Sequence, residues 1–94
     1  MGNDNKAISD YTKMIASNPE DASAYLDRGV AYINIGEDQE AIADFDKAIE
    51  LDPNQYRAYL NRGIAYMNIR EDQEAIADLD KAIELDPDNP NAYF

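Results

Sequence analysis

The sequence predicts an all-α fold, a short right-handed solenoid of stacked antiparallel helix hairpins with about five helices. Three observations predict it. The block AYLDRGVAYINIGEDQEAIADFDKAIELDP at residues 24–53 returns as AYLNRGIAYMNIREDQEAIADLDKAIELDP at residues 58–87, a period of 34 residues. Within each copy the apolar residues recur at spacings of one, three and four, which places them on helical faces. The composition, 45% hydrophobic and 30% charged and rich in Ala, Ile, Leu, Glu, Asp and Lys, favours folded helix over disorder. A hairpin with a wide apolar face cannot bury that face alone, so neighbouring hairpins stack.

The first helix is predicted over residues 5–17, where Ala7, Ile8, Tyr11, Met14 and Ile15 fall on the register of Ala41, Ile42, Phe45, Ala48 and Ile49. The chain therefore opens on the second half of a repeat. Pro19 disfavours helical angles at the residue before it, and Asp21 is placed to cap the next helix. That helix, residues 22–35, carries Tyr25, Leu26, Val30, Ala31, Tyr32, Ile33 and Ile35, with a narrow polar strip at Asp27, Arg28 and Asn34, so it expects neighbours on two sides. Gly29 in its middle costs about 1 kcal/mol against Ala, which predicts close approach by another helix.

Gly36 is read as a left-handed stop, and Glu37 and Asp38 place negative charge at the positive end of the following helix. Residues 38–51 are amphipathic: Ala41, Ile42, Phe45, Ala48, Ile49 and Leu51 form the apolar face, and Glu40, Asp44, Asp46, Lys47 and Glu50 a wet one. After Asp52 and Pro53 the pattern repeats as helices over residues 56–69 and 72–85. Asn89 and Pro90 then announce a sixth helix at residues 91–94. One domain results, divided into a half-repeat (1–21), two repeats (22–55 and 56–89) and the start of a further helix (90–94). Its 94 residues bury about 60 to 70% of the unfolded surface, so repeated packing has to supply the stability.

Charge and missing residue types exclude several functions. Twenty acidic against eight basic residues give a net charge of −12. The resulting field repels phosphate backbones and anionic lipids, so nucleic acid and membrane are poor partners and an apolar or basic protein or peptide fits better. With no cysteine or histidine the chain lacks disulfides, the usual zinc ligands and the commonest general base. Met1-Gly2 does not read as a myristoylation signal, because Lys6 stands where Ser or Thr is needed. No apolar run has the length of a membrane span, and a cytoplasmic address is the expectation.

These residues resemble the tetratricopeptide repeat family, whose pattern is matched by Tyr25, Gly29, Tyr32, Ala41, Phe45, Ala48 and Pro53, and again by Tyr59, Gly63, Tyr66, Ala75, Leu79, Ala82 and Pro87. The sequence departs from the pattern at Arg28 and Arg62, where Leu is usual, at Asp4, Asp38 and Asp72, often aromatic, and at Arg70, which replaces the stop glycine. Residues 22–55 and 56–89 agree at 25 of 34 positions, a closeness that points to recent duplication or to a designed or selected repeat.

The resemblance implies a non-catalytic interaction module whose first helices line a concave groove. The residues implied there are Leu26, Val30, Ile33 and Asn34, then Leu60, Ile64, Met67 and Asn68. Some members grip acidic tails with Lys and Asn where this chain has Leu26, Val30, Leu60 and Ile64, so that carboxylate clamp is absent. A mostly apolar groove with an Asn ladder is the expectation, suited to an amphipathic helix or an apolar extended segment. Those apolar residues alternatively pack between repeats or in an oligomer. Arg28 and Arg62 reach either a ligand carboxylate or the local Asp and Glu side chains.

Asp44, Asp46, Asp78 and Asp80 are read as solvated helix surface rather than catalytic carboxylates. Asp86, Asp88, Asn89 and Asn91 lack the spacing of a calcium loop. No cofactor or metal is expected. The second reading of the chain is structural: a self-assembling unit. Ile76, Leu79 and Ile83, with Tyr93 and Phe94, leave apolar surface open at one end, each large side chain forfeiting about 1.5 to 3 kcal/mol. Arg70 adds a route, since nothing in residues 68–74 forbids continuous helix and an opened 56–85 hairpin would swap into a second molecule. An ordinary turn with a strained Arg70 is the competing expectation.

Overall fold

In a computed structural model, described for residues 3–88, five helices follow one another: α1 (Asn3–Ser17), α2 (Ala22–Asn34), α3 (Asp38–Leu51), α4 (Tyr56–Asn68) and α5 (Asp72–Leu85). Tyr93 and Phe94, and the sixth helix expected at residues 91–94, lie outside the described residues. Each helix packs on the next in the chain, and α2 also touches α4, giving an array with extents of 41 × 28 × 21 Å. Helix α1 begins two residues earlier than expected, and α2 and α4 each end one residue earlier, at Asn34 and Asn68.

The helix ends obey local chemistry. Asp21 caps α2, its Oδ1 accepting from the Ala24 amide at 3.2 Å. At its C-terminus Gly36 takes a φ of 81°, and two bonds close the turn: Gly36 N–H to the Ile33 carbonyl and Glu37 N–H to that of Tyr32. The turn after α4 is the same one. Arg70 sits at a φ of 66°, with its amide bonded to Met67 and that of Glu71 to Tyr66. The 56–85 hairpin is thus closed, not a continuous helix. Ile69, immediately before Arg70, packs against the core and holds the turn that Arg70's own preference opposes.

Eight alanines, Ala24, Ala31, Ala41, Ala48, Ala58, Ala65, Ala75 and Ala82, are at most 4% exposed and form the contact lines between helices. Small side chains there let the backbones approach closely. Around them Leu26, Ile42 and the fully buried Phe45 make the core. The close approach expected at Gly29 is real: a Cβ there would lie 2.5 Å from Phe45 Cε1. At Gly63 it would lie 3.1 Å from Leu79, whose smaller side chain leaves more room.

Candidate functional site

Arginine, tyrosine and aspartate build the joint of each hairpin. Arg28 grips Asp44 with both arms of its fork, Nε to Oδ2 at 2.8 Å and Nη2 to Oδ1 at 2.7 Å, while Nη1 donates to Thr12 Oγ1 on α1 at 3.2 Å. Arg62 does the same to Asp78, at 2.8 Å for both bonds, and its Nη1 reaches Asp46 on α3 at 2.8 Å. Each guanidinium lies between two tyrosine rings, Tyr25 and Tyr32 or Tyr59 and Tyr66, with every centroid 5.8 Å away. Hydrogen bonding to the carboxylate holds both arginines above their ordinary basicity, Arg28 through Asp44 and Arg62 chiefly through Asp78.

One expectation is corrected here. Asp44 and Asp78 are not solvated surface: each is 5% exposed, because its arginine, sixteen residues earlier, draws it into the hairpin. Of the two readings open for Arg28 and Arg62, the structure shows the pairing with local carboxylates, each nitrogen of the fork being bonded within the chain. The asparagines are partly spent as well. Asn34 donates to Asp4 at 3.3 Å and Asn68 to Asp38 at 2.9 Å, tying the end of each first helix to the start of the helix before it.

The apolar groove residues divide by helix. On α2, Leu26 is 7% exposed and belongs to the core cluster with Ala58 and Ala65 of α4, so it is packing between repeats, not groove; Val30 and Ile33 are half-buried beside it. On α4, Leu60 is 38% and Met67 48% exposed, with Ile64 half-buried. The available apolar surface therefore leans toward α4.

Sequence reasoning missed the polar residues on the same face. Asp27 of α2 feels Arg57 of α4: partial burial pushes its carboxyl above the ordinary value, Asp21 adds to the push and the Arg57 guanidinium opposes it. Asn61, at the position of Asp27, donates to the Arg57 carbonyl at 2.9 Å. A signal was present in the sequence. Of the nine positions at which the repeats differ, five are Ala22/Tyr56, Ser23/Arg57, Asp27/Asn61, Val30/Ile64 and Ile33/Met67. At about 100° per residue these fall within an arc of about 140° on one helix face.

At the other edge of α4, an open apolar recess of about 260 Å³ is lined by Tyr56, Leu60, Leu79, Ala82, Ile83 and Asp86. Of the residues expected to drive self-association, Ile76 is 60% and Ile83 56% exposed, Leu79 is half-buried, and Arg70 sits in the closed turn. Among the described residues no group of His, Cys, Asp and Glu has the arrangement of a metal site, and no helix is long and apolar enough to cross a membrane.

Antiparallel hairpins stacked at a 34-residue period define a helical-repeat solenoid, a protein class built around extended binding surfaces. The tetratricopeptide repeat model matches residues 22–55 and 56–89, and the chain belongs to that family. It is similar in structure to the TPR domain of Arabidopsis OM64, with 35% identity and a TM-score of 0.90 over 98% of this chain and 76% of that one. The second TPR of Spaghetti (RPAP3), bound to an HSP90 peptide, matches with 32% identity and a TM-score of 0.88 over 90% and 79% of the two chains. For the TPR2B domain of yeast Sti1 in complex with an Hsp70 peptide the values are 38% and 0.89, over 97% and 73%. No curated protein matches the chain by sequence.

Proposed function

We propose that the chain is a non-catalytic protein-interaction scaffold that holds a peptide or helix along the shared face of α2 and α4. One observation carries the reading: of the nine positions at which the repeats differ, five lie along that face. The related TPR domains of Spaghetti and Sti1, bound to HSP90 and Hsp70 peptides, make a peptide the natural class of ligand. The ligand chemistry differs here. Leu60, Ile64 and Met67 favour an apolar strip, and a net charge of −12 disfavours an acidic tail, so an amphipathic or basic segment is the expected partner.

The test is an array of immobilised amphipathic, basic and acidic peptides. Apolar or basic members should retain the protein, acidic ones should not, and Ile64→Glu with Met67→Glu should abolish retention with the helical signal intact. Retention unaffected by that pair would move the binding site off this face. The exposure of Ile76 supports a second reading, self-assembly through the α5 side, which a concentration series by light scattering separates from the first.

A further inference from the structure

We infer that Thr12 is an acceptor for a phosphoryl group, and that the phosphate, once on its hydroxyl, is bound by Arg28 and tightens the hold of α2 on α1. The molecule contains its own precedent. Thr12 and Asp46 occupy the same register of successive units, and each meets the outer nitrogen of the arginine sixteen residues later: Thr12 Oγ1 accepts from Arg28 Nη1 at 3.2 Å, and Asp46 Oδ1 from Arg62 Nη1 at 2.8 Å. One joint is thus closed on a neutral hydroxyl and the other on a carboxylate. A phosphorylated hydroxyl offers a guanidinium what a carboxylate does, anionic oxygens that accept its N–H groups.

The surroundings of Thr12 admit the group. Thr12 is exposed, and so is Asp46, with 56% of its side chain accessible although α2 and α4 both pack on α3; the openness belongs to the register. One turn away on α1 stand Ile8, Ser9, Ile15 and Ala16, none of them negative, and Lys13 follows. Phosphorylation gives up the bond of 2.7 Å from Thr12 Oγ1 to the Ile8 carbonyl and gains charge-assisted ones. That Arg28 already holds Asp44 is no obstacle, because Arg62 holds Asp78 and Asp46 at once. The group comes from a nucleoside triphosphate through a protein kinase: the Oγ1–P bond forms, the β–γ anhydride bond breaks, the nucleoside diphosphate leaves and the hydroxyl proton passes to the kinase's base.

The probe is the full-length chain with phosphothreonine encoded at position 12. By 31P NMR its second ionisation should fall about half a unit to one unit below that of a phosphothreonine peptide of residues 5–18, which titrates at about 6. A lowered folded value means a contribution to stability that is present above the unfolded value and declines as pH falls through the folded one. The chain should therefore unfold at higher urea than one with phosphoserine at the exposed Ser9, by a margin that shrinks at pH 4 and in about 1 M salt. Arg28→Lys, whose single ammonium does not span Asp44 and the phosphate together, should return the ionisation to the peptide's value. Independently of any phosphate, Thr12→Asp, which copies Asp46, should unfold at higher urea than Thr12→Asn. A phosphate that titrates as it does in the peptide, or a Thr12→Asp chain no more stable than Thr12→Asn, would overturn the inference.

Discussion

The hairpin of α2 and α3 and the hairpin of α4 and α5 are built from nearly the same residues and differ in how tightly they are finished. In the first, Phe45 fills the space against Gly29, Asp21 caps the leading helix and Gly36 makes the left-handed turn at no steric cost. In the second, Leu79 packs more loosely on Gly63, Gln55 occupies the cap position with no side-chain bond and a buried, unpartnered Oε1, and Arg70 takes the left-handed angle. What both retain unchanged is the Arg, Tyr and Asp joint. Each hairpin is thus specified by the joint and the alanine lines, and the fittings around them are adjustable.

The joint gives the largest expected effect. Arg62→Ala strands Asp78 as a buried, uncompensated charge and should cost about 3 to 5 kcal/mol in urea unfolding. Arg28→Ala should cost a similar amount through Asp44. The difference between them should be small, since the extra partner Asp46 is a largely exposed carboxylate. Equal, negligible losses would show the hairpins to be held by alanine packing alone.

Gly29→Ala and Gly63→Ala sharpen the contrast in packing. The first drives a methyl into the Phe45 ring and should cost about 1 to 3 kcal/mol; the second meets Leu79 and should cost less. Adding Phe45→Leu to Gly29→Ala should recover part of the loss in a double-mutant cycle. Next in size are two changes that bring the second hairpin up to the first. Gln55→Asp supplies the absent cap, and Arg70→Gly relieves the left-handed angle, each raising stability by about 1 kcal/mol.

The smallest effect concerns pH. Asp27 carries a raised carboxyl, and a raised carboxyl opposes folding once it is ionised, so its cost is absent below the unfolded value and grows as pH rises through the folded one. Asp27→Asn, which copies Asn61, should leave stability at pH 7 equal or slightly higher. It should also remove a small gain otherwise seen on mild acidification, read from urea midpoints at pH 3 to 7.

Helices, hairpins and stops were legible because they follow from short-range spacing: Pro19, Asp21 and Gly36 act within a few residues of themselves. Asp44 was misread because periodicity placed it on a polar face, while its partner Arg28 stands sixteen residues away in the adjacent helix. Leu26 and Leu60 could not be told apart by spacing, since both occupy the same register and only the packing of another helix separates core from surface. Arg70 was ambiguous for a related reason, its own propensity favouring continued helix and the anchoring of Ile69 in the core favouring a turn. The approach of Asp27 on α2 to Arg57 on α4 leaves no mark in the spacing of either helix, because it depends on how the two helices pack.

The outer arm of Arg62 has a consequence for how the molecule comes apart. Its bond to Asp46 crosses from one hairpin to the one before, while the rest of the same guanidinium fastens its own hairpin. In a nearest-neighbour description of a repeat array, one side chain then contributes both to the intrinsic term of its unit and to the coupling with the unit before it. Fraying that withdraws Arg62 from Asp78 also loosens its bond to α3, so loss of the joint in one hairpin is felt, to a small extent, in the hairpin before it.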